Sequence, residues 1–160
     1  MFFCGIHRKN RFLITACISV TLLLSACGTE EDTREGQPVK HRQAAFKATL
    51  RALEPAGVLL RTQQDFNASQ FAEHIHAFDS VRQTPFTYFA DNTNYPPSKA
   101  KDTVWSDKEG FASARQHYDD ASQKLLAAID NDETDPLTLK PLYEAVEQSC
   151  KSCHQEFRKK

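Results

Sequence analysis

The chain has 160 residues, enough for one domain, with 26% charged and 40% hydrophobic side chains. That balance excludes a disordered tail and a chain that crosses a membrane many times. Its 20 basic and 21 acidic side chains give a net charge of −1, which argues against nucleic acid as a partner.

At the N-terminus, Arg8, Lys9 and Arg11 precede an apolar run from Phe12 to Leu24. The run is too short to span a bilayer comfortably and reads as a signal peptide. It ends in Leu24-Ser25-Ala26-Cys27, which resembles a bacterial lipobox. The expectation is a signal peptide over 1–26, with Cys27 as the lipidated first residue of the mature protein. The lipid then holds the domain to a membrane on the periplasmic side. Gly28, in place of an aspartate, favours the outer membrane. Without residues 1–26 the chain keeps 17 basic and 21 acidic side chains, a net charge of −4. Cys4 and Cys17 leave with the signal, so Cys150 and Cys153 are the only cysteines beyond Cys27. That excludes a disulfide framework. Residues 28–37 are polar and aperiodic, so 27–37 is expected to be a lipidated tether, with the domain over 38–160.

From Pro38, apolar positions recur at alternating spacings of four and three: Val39, Phe46, Leu50, Leu53 and Leu60, with Gln43 and Gly57 in register. One face of a helix collects them. Pro55 lies inside this run and is expected to kink it. Asn67 is a good N-cap for a second helix with the stripe Phe71, Ile75, Phe78 and Val81, which Pro85 ends. Residues 84–105 are irregular, and Tyr95-Pro96-Pro97-Ser98 cannot be helical. Phe86, Tyr88, Phe89 and Trp105 are nevertheless too apolar for a solvated linker, so this loop should pack on the domain. Ser106-Asp107-Lys108-Glu109 has the form of a capping box with Ser106 as cap. A third helix follows through Phe111, Ala114, Tyr118, Ala121, Leu125 and Ala128, ending near Asn131. Asp135-Pro136 starts a fourth, with the stripe Leu139, Leu142, Val146, Cys150, Cys153 and Phe157. Four amphipathic segments predict an all-α, antiparallel up-down-up-down four-helix bundle.

The chemistry lies in Cys150-Lys151-Ser152-Cys153-His154, a C-x-x-C-H sequence. Two thiols at this spacing can add across the two vinyl groups of one haem, and the adjacent histidine can reach its iron. A thioredoxin-type redox pair would need a βαβ setting. A zinc site would need further ligands at set spacing, and a structural disulfide would not need His154. An export signal and a helical bundle favour one covalent haem c near the C-terminus.

Three segments carry a resemblance to the cytochrome c′ family of four-helix-bundle haem proteins. They are Ser149 to Lys160, Lys40-His-Arg-Gln-Ala-Ala45, and Ala100-Lys-Asp-Thr-Val-Trp-Ser-Asp107. The resemblance implies that His154 is the sole axial ligand of the iron. It implies that Arg42 and Gln43 lie near the haem propionates. Phe46 then faces the open distal side of the iron and Arg158 sits by the proximal face. It further implies a homodimer through the first two helices.

The only methionine, Met1, leaves with the signal, which removes the His/Met ligation of common electron carriers. His41, His74, His76 and His117 fall off the apolar stripes. His41 stands about 140° round the helix from Phe46. The expectation is therefore a five-coordinate, high-spin iron that binds nitric oxide, carbon monoxide or another small gas. Phe46 would supply bulk without a hydrogen-bond donor. With no histidine placed as a distal acid or base, an enzyme is not expected. A plain periplasmic electron carrier is the alternative, with Lys151, Lys159 and Lys160 steering an acidic redox partner that the sequence does not identify.

Overall fold

The structure, a computed structural model, describes residues 30–62 and 66–160. The segment 1–26, expected to be a signal peptide, and Cys27 lie outside these residues. Helix α1 runs over Pro38–Arg61 and continues through Pro55. Helix α2 spans Ala68–Val81, and the side chain of its cap Asn67 accepts from the Gln70 N–H. A 3-10 turn at Thr84–Tyr88 and the one-turn helix α3, Thr103–Ser106, punctuate the connection that follows. Helices α4, Lys108–Asp130, and α5, Pro136–Phe157, complete the bundle. The start of α5 follows its sequence: Asp135 caps the helix through the Leu137 N–H, with Pro136 in the first turn. The start of α4 differs from expectation. Its cap is Asp107, which accepts from the Gly110 N–H at 3.0 Å. Ser106 instead closes α3, donating from its hydroxyl to Asp102 O.

The long helices pack as antiparallel neighbours, α1 on α2, α2 on α4 and α4 on α5. Arg82, at the end of α2, is buried and pairs with Asp79 and with Asp119 of α4. One large core holds Leu53, Ala56, Leu60, Phe71, Ile75, Phe78, Leu125, Leu139 and Val146. A second, smaller one gathers Ala100, Val104 and Phe157 under Phe89, Trp105 and Phe111. The stripes therefore point inward as their periodicity predicts, with one instructive exception. Leu50 sits on the α1 stripe yet is 55% exposed, because it borders a cavity instead of a neighbouring helix.

That cavity exists because α1 and α5 share much less contact than the other neighbouring pairs. They meet closely at the end of the bundle away from the cavity. There Tyr143 lies against Gly57, and its hydroxyl donates to Leu53 O at 3.5 Å. A Cβ on Gly57 would stand 2.3 Å from Tyr143 Oη. Alanine normally favours a helix over glycine by about 1 kcal/mol. The overlap costs about 1–3 kcal/mol and outweighs it. Gly57→Ala should therefore lower the thermal midpoint by several degrees, and Tyr143→Phe should recover part of the loss. A midpoint unchanged or raised in Gly57→Ala would show that the two helices are not held together here.

The C-terminus is fastened to the long connection by a single antiparallel bridge between Ala100 and Arg158. Lys101 N–H donates to Phe157 O and Lys159 N–H to Lys99 O. The polar stretch before α1, expected as tether, is in contact with the domain from Asp32 onward; Asp32 is only 1% exposed. No helix among the described residues is long and apolar enough to cross a membrane.

Candidate functional site

The cavity, about 580 Å³, opens between the first half of α1 and the last turns of α5, with α4 and the 84–100 connection closing its sides. This size suits a cofactor. Cys150, Cys153 and His154 line one wall, brought there by the α5 stripe. Cys150 also packs on the large core and Cys153 on the small one, so the two thiols bridge the divided interior. Both are free. Burial pushes the Cys150 thiol up to about 11, with Cys153 adding to the shift. Burial, with Glu156 beside it, also raises Cys153. Both sulfurs are therefore protonated at neutral pH. His154 is reachable from solvent through the cavity mouth, yet enough protein surrounds it that desolvation lowers its pKa, and Arg158 adds to this. Its imidazole is neutral at pH 7, the form that ligates a metal.

Phe46 stands on α1 facing this wall. Its ring lies 6.1 Å from that of His154, edge to face at 72°. Phe86 and Phe89 pack on Phe46 at 5.8 and 6.2 Å, so three phenylalanines close that face. The guanidinium of Arg115 covers Phe86 at 4.6 Å. The hydroxyls nearby are turned away: Thr49 donates to Ala45 O and Tyr118 to Arg82 O. Among the described residues, His154 is the only histidine that lines the cavity. His41 stacks on Tyr88, His76 faces Asp130, and His117 is exposed.

Arg42, Gln43 and Arg158 all line the cavity. Arg42 is buried at 4% exposure and is also the clasp of the long connection. It donates to Tyr88 O, Thr93 Oγ1, Thr93 O and Ser98 Oγ, and it stacks over Phe89 at 4.5 Å. Gln43 donates to Pro97 O. All of these partners of Arg42 are neutral oxygens, so a buried cation stands at the cavity edge without a bonded carboxylate. Removing it as Arg42→Ala leaves several buried acceptors bare and should cost about 3 kcal/mol. Denaturant titration checks this, and a loss below about 1 kcal/mol would mean the connection holds without its clasp.

Residues 37–158 match the family described as Cytochrome C′. The chain belongs to the cytochrome c′ family. It is 28% identical over 122 residues to cytochrome c′ of Alcaligenes xylosoxydans xylosoxydans, covering 76% of this chain and 93% of that protein. It is 28% identical over 128 residues to cytochrome c′ of Rubrivivax gelatinosus, covering 79% and 98%. The crystal structure of the Rubrivivax gelatinosus protein superposes with a TM-score of 0.71 at 28% identity, covering 78% of this chain and 96% of that one. The nitric oxide complex of a cytochrome c prime variant from Alcaligenes xylosoxidans does so with a TM-score of 0.70 at 28% identity, covering 77% and 94%.

Members of the cytochrome c′ family carry covalently bound haem c. The residues present fit that group. Two thiols would meet its two vinyls, a neutral imidazole would meet its iron, and a buried guanidinium without a carboxylate would suit its acidic edge. Sequence reasoning found the thiols and the imidazole but not the pairing of Phe86 and Phe89 with Phe46, nor the cover of Arg115. The run Pro85-Phe86-Thr87-Tyr88-Phe89 is the one local signal that could have pointed there.

Proposed function

We propose that this protein is a lipid-anchored cytochrome c′ whose haem iron is five-coordinate and binds nitric oxide. The observation that carries the reading is the apolar face of Phe46, Phe86 and Phe89 set against His154. When bound, the haem supplies a metal that takes up a small diatomic ligand. Cys150 and Cys153 hold it in place and His154 ligates it. Arg42 and Gln43 orient its propionates, while Arg158 borders the side of His154. Phe46 excludes water and bulky ligands from the other side. Bound dioxygen gains from a polar donor, whereas nitric oxide and carbon monoxide need one less. The turned-away hydroxyls of Thr49 and Tyr118 therefore favour the latter two. The same apolar face offers no acid or base for peroxide chemistry, which supports a binding protein over an enzyme.

Localisation at a periplasmic membrane face follows from the lipobox ending at Cys27. A homodimer through α1 and α2 is part of this proposal and follows from the family resemblance alone.

Electron transfer is the second reading, and one observation favours it. Arg42, Lys47, Lys99, Arg115 and Arg158 all line the cavity, and no carboxylate among the described residues does. In a mature chain of net charge −4 such a rim guides an acidic redox partner. The optical spectrum of the ferrous holoprotein separates the readings. A high-spin spectrum that changes on adding nitric oxide is expected. A low-spin spectrum indifferent to the gas would overturn five-coordination and leave electron transfer.

A further inference from the structure

The segment between Cys27 and α1 does not leave the domain at Pro38. Gly36 and Gln37 adopt positive φ values of 70° and 41° and turn the chain back over the helix start. This brings the Asp32 carboxylate onto the first turn of α1, where it accepts from the Val39 and Lys40 N–H groups at 2.9 and 3.2 Å. It also accepts from its neighbour's backbone at Arg34 and from the hydroxyl of Tyr95 at 2.9 Å. Arg34 lies over the Tyr95 ring at 3.8 Å and donates to Asn92 O. Gln37 donates from its side chain to Asp32 O. Asp32 thus does two jobs: it satisfies orphan donors of a helix N-terminus, and it ties the leading segment to the connection that Arg42 clasps at the cavity edge.

We infer that Asp32 fixes the exit point of the lipid tether at the haem end of the bundle, so that the anchored protein turns this end toward the lipid surface. This rests on the lipidation of Cys27 proposed above. Lengths decide the matter. From Cys27 to Asp32 the chain spans five residues, at most about 18 Å when fully extended. Helix α1 has 24 residues and is about 36 Å long. A tether of about 18 Å cannot run the length of a bundle of about 36 Å, so the bundle cannot stand on its far end with the haem end held away from the membrane. Were the chain free as far as Pro38, its eleven residues would reach about 40 Å, and every orientation would be open. The partner of this surface is a bilayer, and the cavity is held near the phase in which apolar diatomic gases are more soluble than in water.

The test uses the holoprotein beginning at Cys27. With Cys150 and Cys153 held in thioether bonds, Cys27 carries its only free thiol. It is coupled to a maleimide-bearing phospholipid in phosphatidylcholine vesicles that also contain a headgroup fluorophore, whose emission the haem quenches by energy transfer. Strong quenching is expected in the unaltered protein, falling at least twofold in Asp32→Ala. Tyr95→Phe removes one bond, leaves the cap on α1 intact, and should lower quenching by less. It keeps the test sound should Asp32→Ala fold poorly. Equal quenching in the unaltered protein and Tyr95→Phe, together with equal quenching in a folded Asp32→Ala, overturns the inference. Mass spectrometry of the exported chain separately checks the anchor. A chain without lipid on Cys27 overturns the anchored reading, and with it the orientation in the cell, whatever the vesicles show.

Discussion

Replacing Phe46 with alanine should speed carbon monoxide binding to the ferrous protein by about 10- to 100-fold. The ring lies edge to face against His154 across the cavity and is itself wedged by Phe86 and Phe89. A ligand entering there must displace it from a packed arrangement. Forcing side chains out of such packing costs about 1–3 kcal/mol, and each 1.4 kcal/mol is a tenfold change in rate. Alanine abolishes that cost, while His154, on another helix, is left in place. Stopped-flow mixing with carbon monoxide measures the effect. Rates within a factor of two of the parent protein would show that Phe46 does not guard the iron and would remove the main support for ligand selection by crowding. Phe86→Ala should give a smaller acceleration, because it acts by loosening Phe46.

The second large effect is expected at His154. His154→Gly leaves both thiols, so the haem should remain covalently attached and the chain should still stain for haem after denaturation. The nitrogen proposed as axial ligand is lost, and no other histidine among the described residues lines the cavity to replace it. The high-spin spectrum expected of the parent should therefore disappear. Added imidazole, free to enter the space left by the side chain, should restore it in a saturable way. A variant whose spectrum matches the parent without imidazole would mean that another group ligates the iron. Lys47 and Lys99, which border the cavity, would then be the groups to replace next.

Much of the bundle was legible in the sequence because its signals are local. A stripe at three-four spacing buries the same residues whatever the neighbouring helix is, so Phe71, Ile75, Phe78, Leu139 and Val146 were found from spacing alone. Asn67 and Asp135 cap their helices because the bond is made within three residues. The capping box at Ser106 misled by one position, since Asp107 competes for the same role and α3 occupies Ser106. Asp32 could not be foreseen. Its partners at Val39, Lys40 and Tyr95 are brought to it by a backbone reversal and by a loop from elsewhere in the chain. Composition therefore made 28–37 look wholly free. Leu50 shows the converse, an apolar stripe position kept out of the core by the cavity it borders.

The covalent cofactor was settled by the sequence itself, because attachment needs only two thiols and an imidazole within five consecutive residues, Cys150 to His154. What confronts the imidazole was decided by tertiary structure. Phe46 reaches it from α1 and Phe86 and Phe89 pack on that ring from the connection, and no periodicity relates them to His154. They meet there because α1 and α5 are pressed together at Gly57 and Tyr143 and part toward the other end. The space this opens is a property of how the helices pack, and no segment of the chain carries it alone.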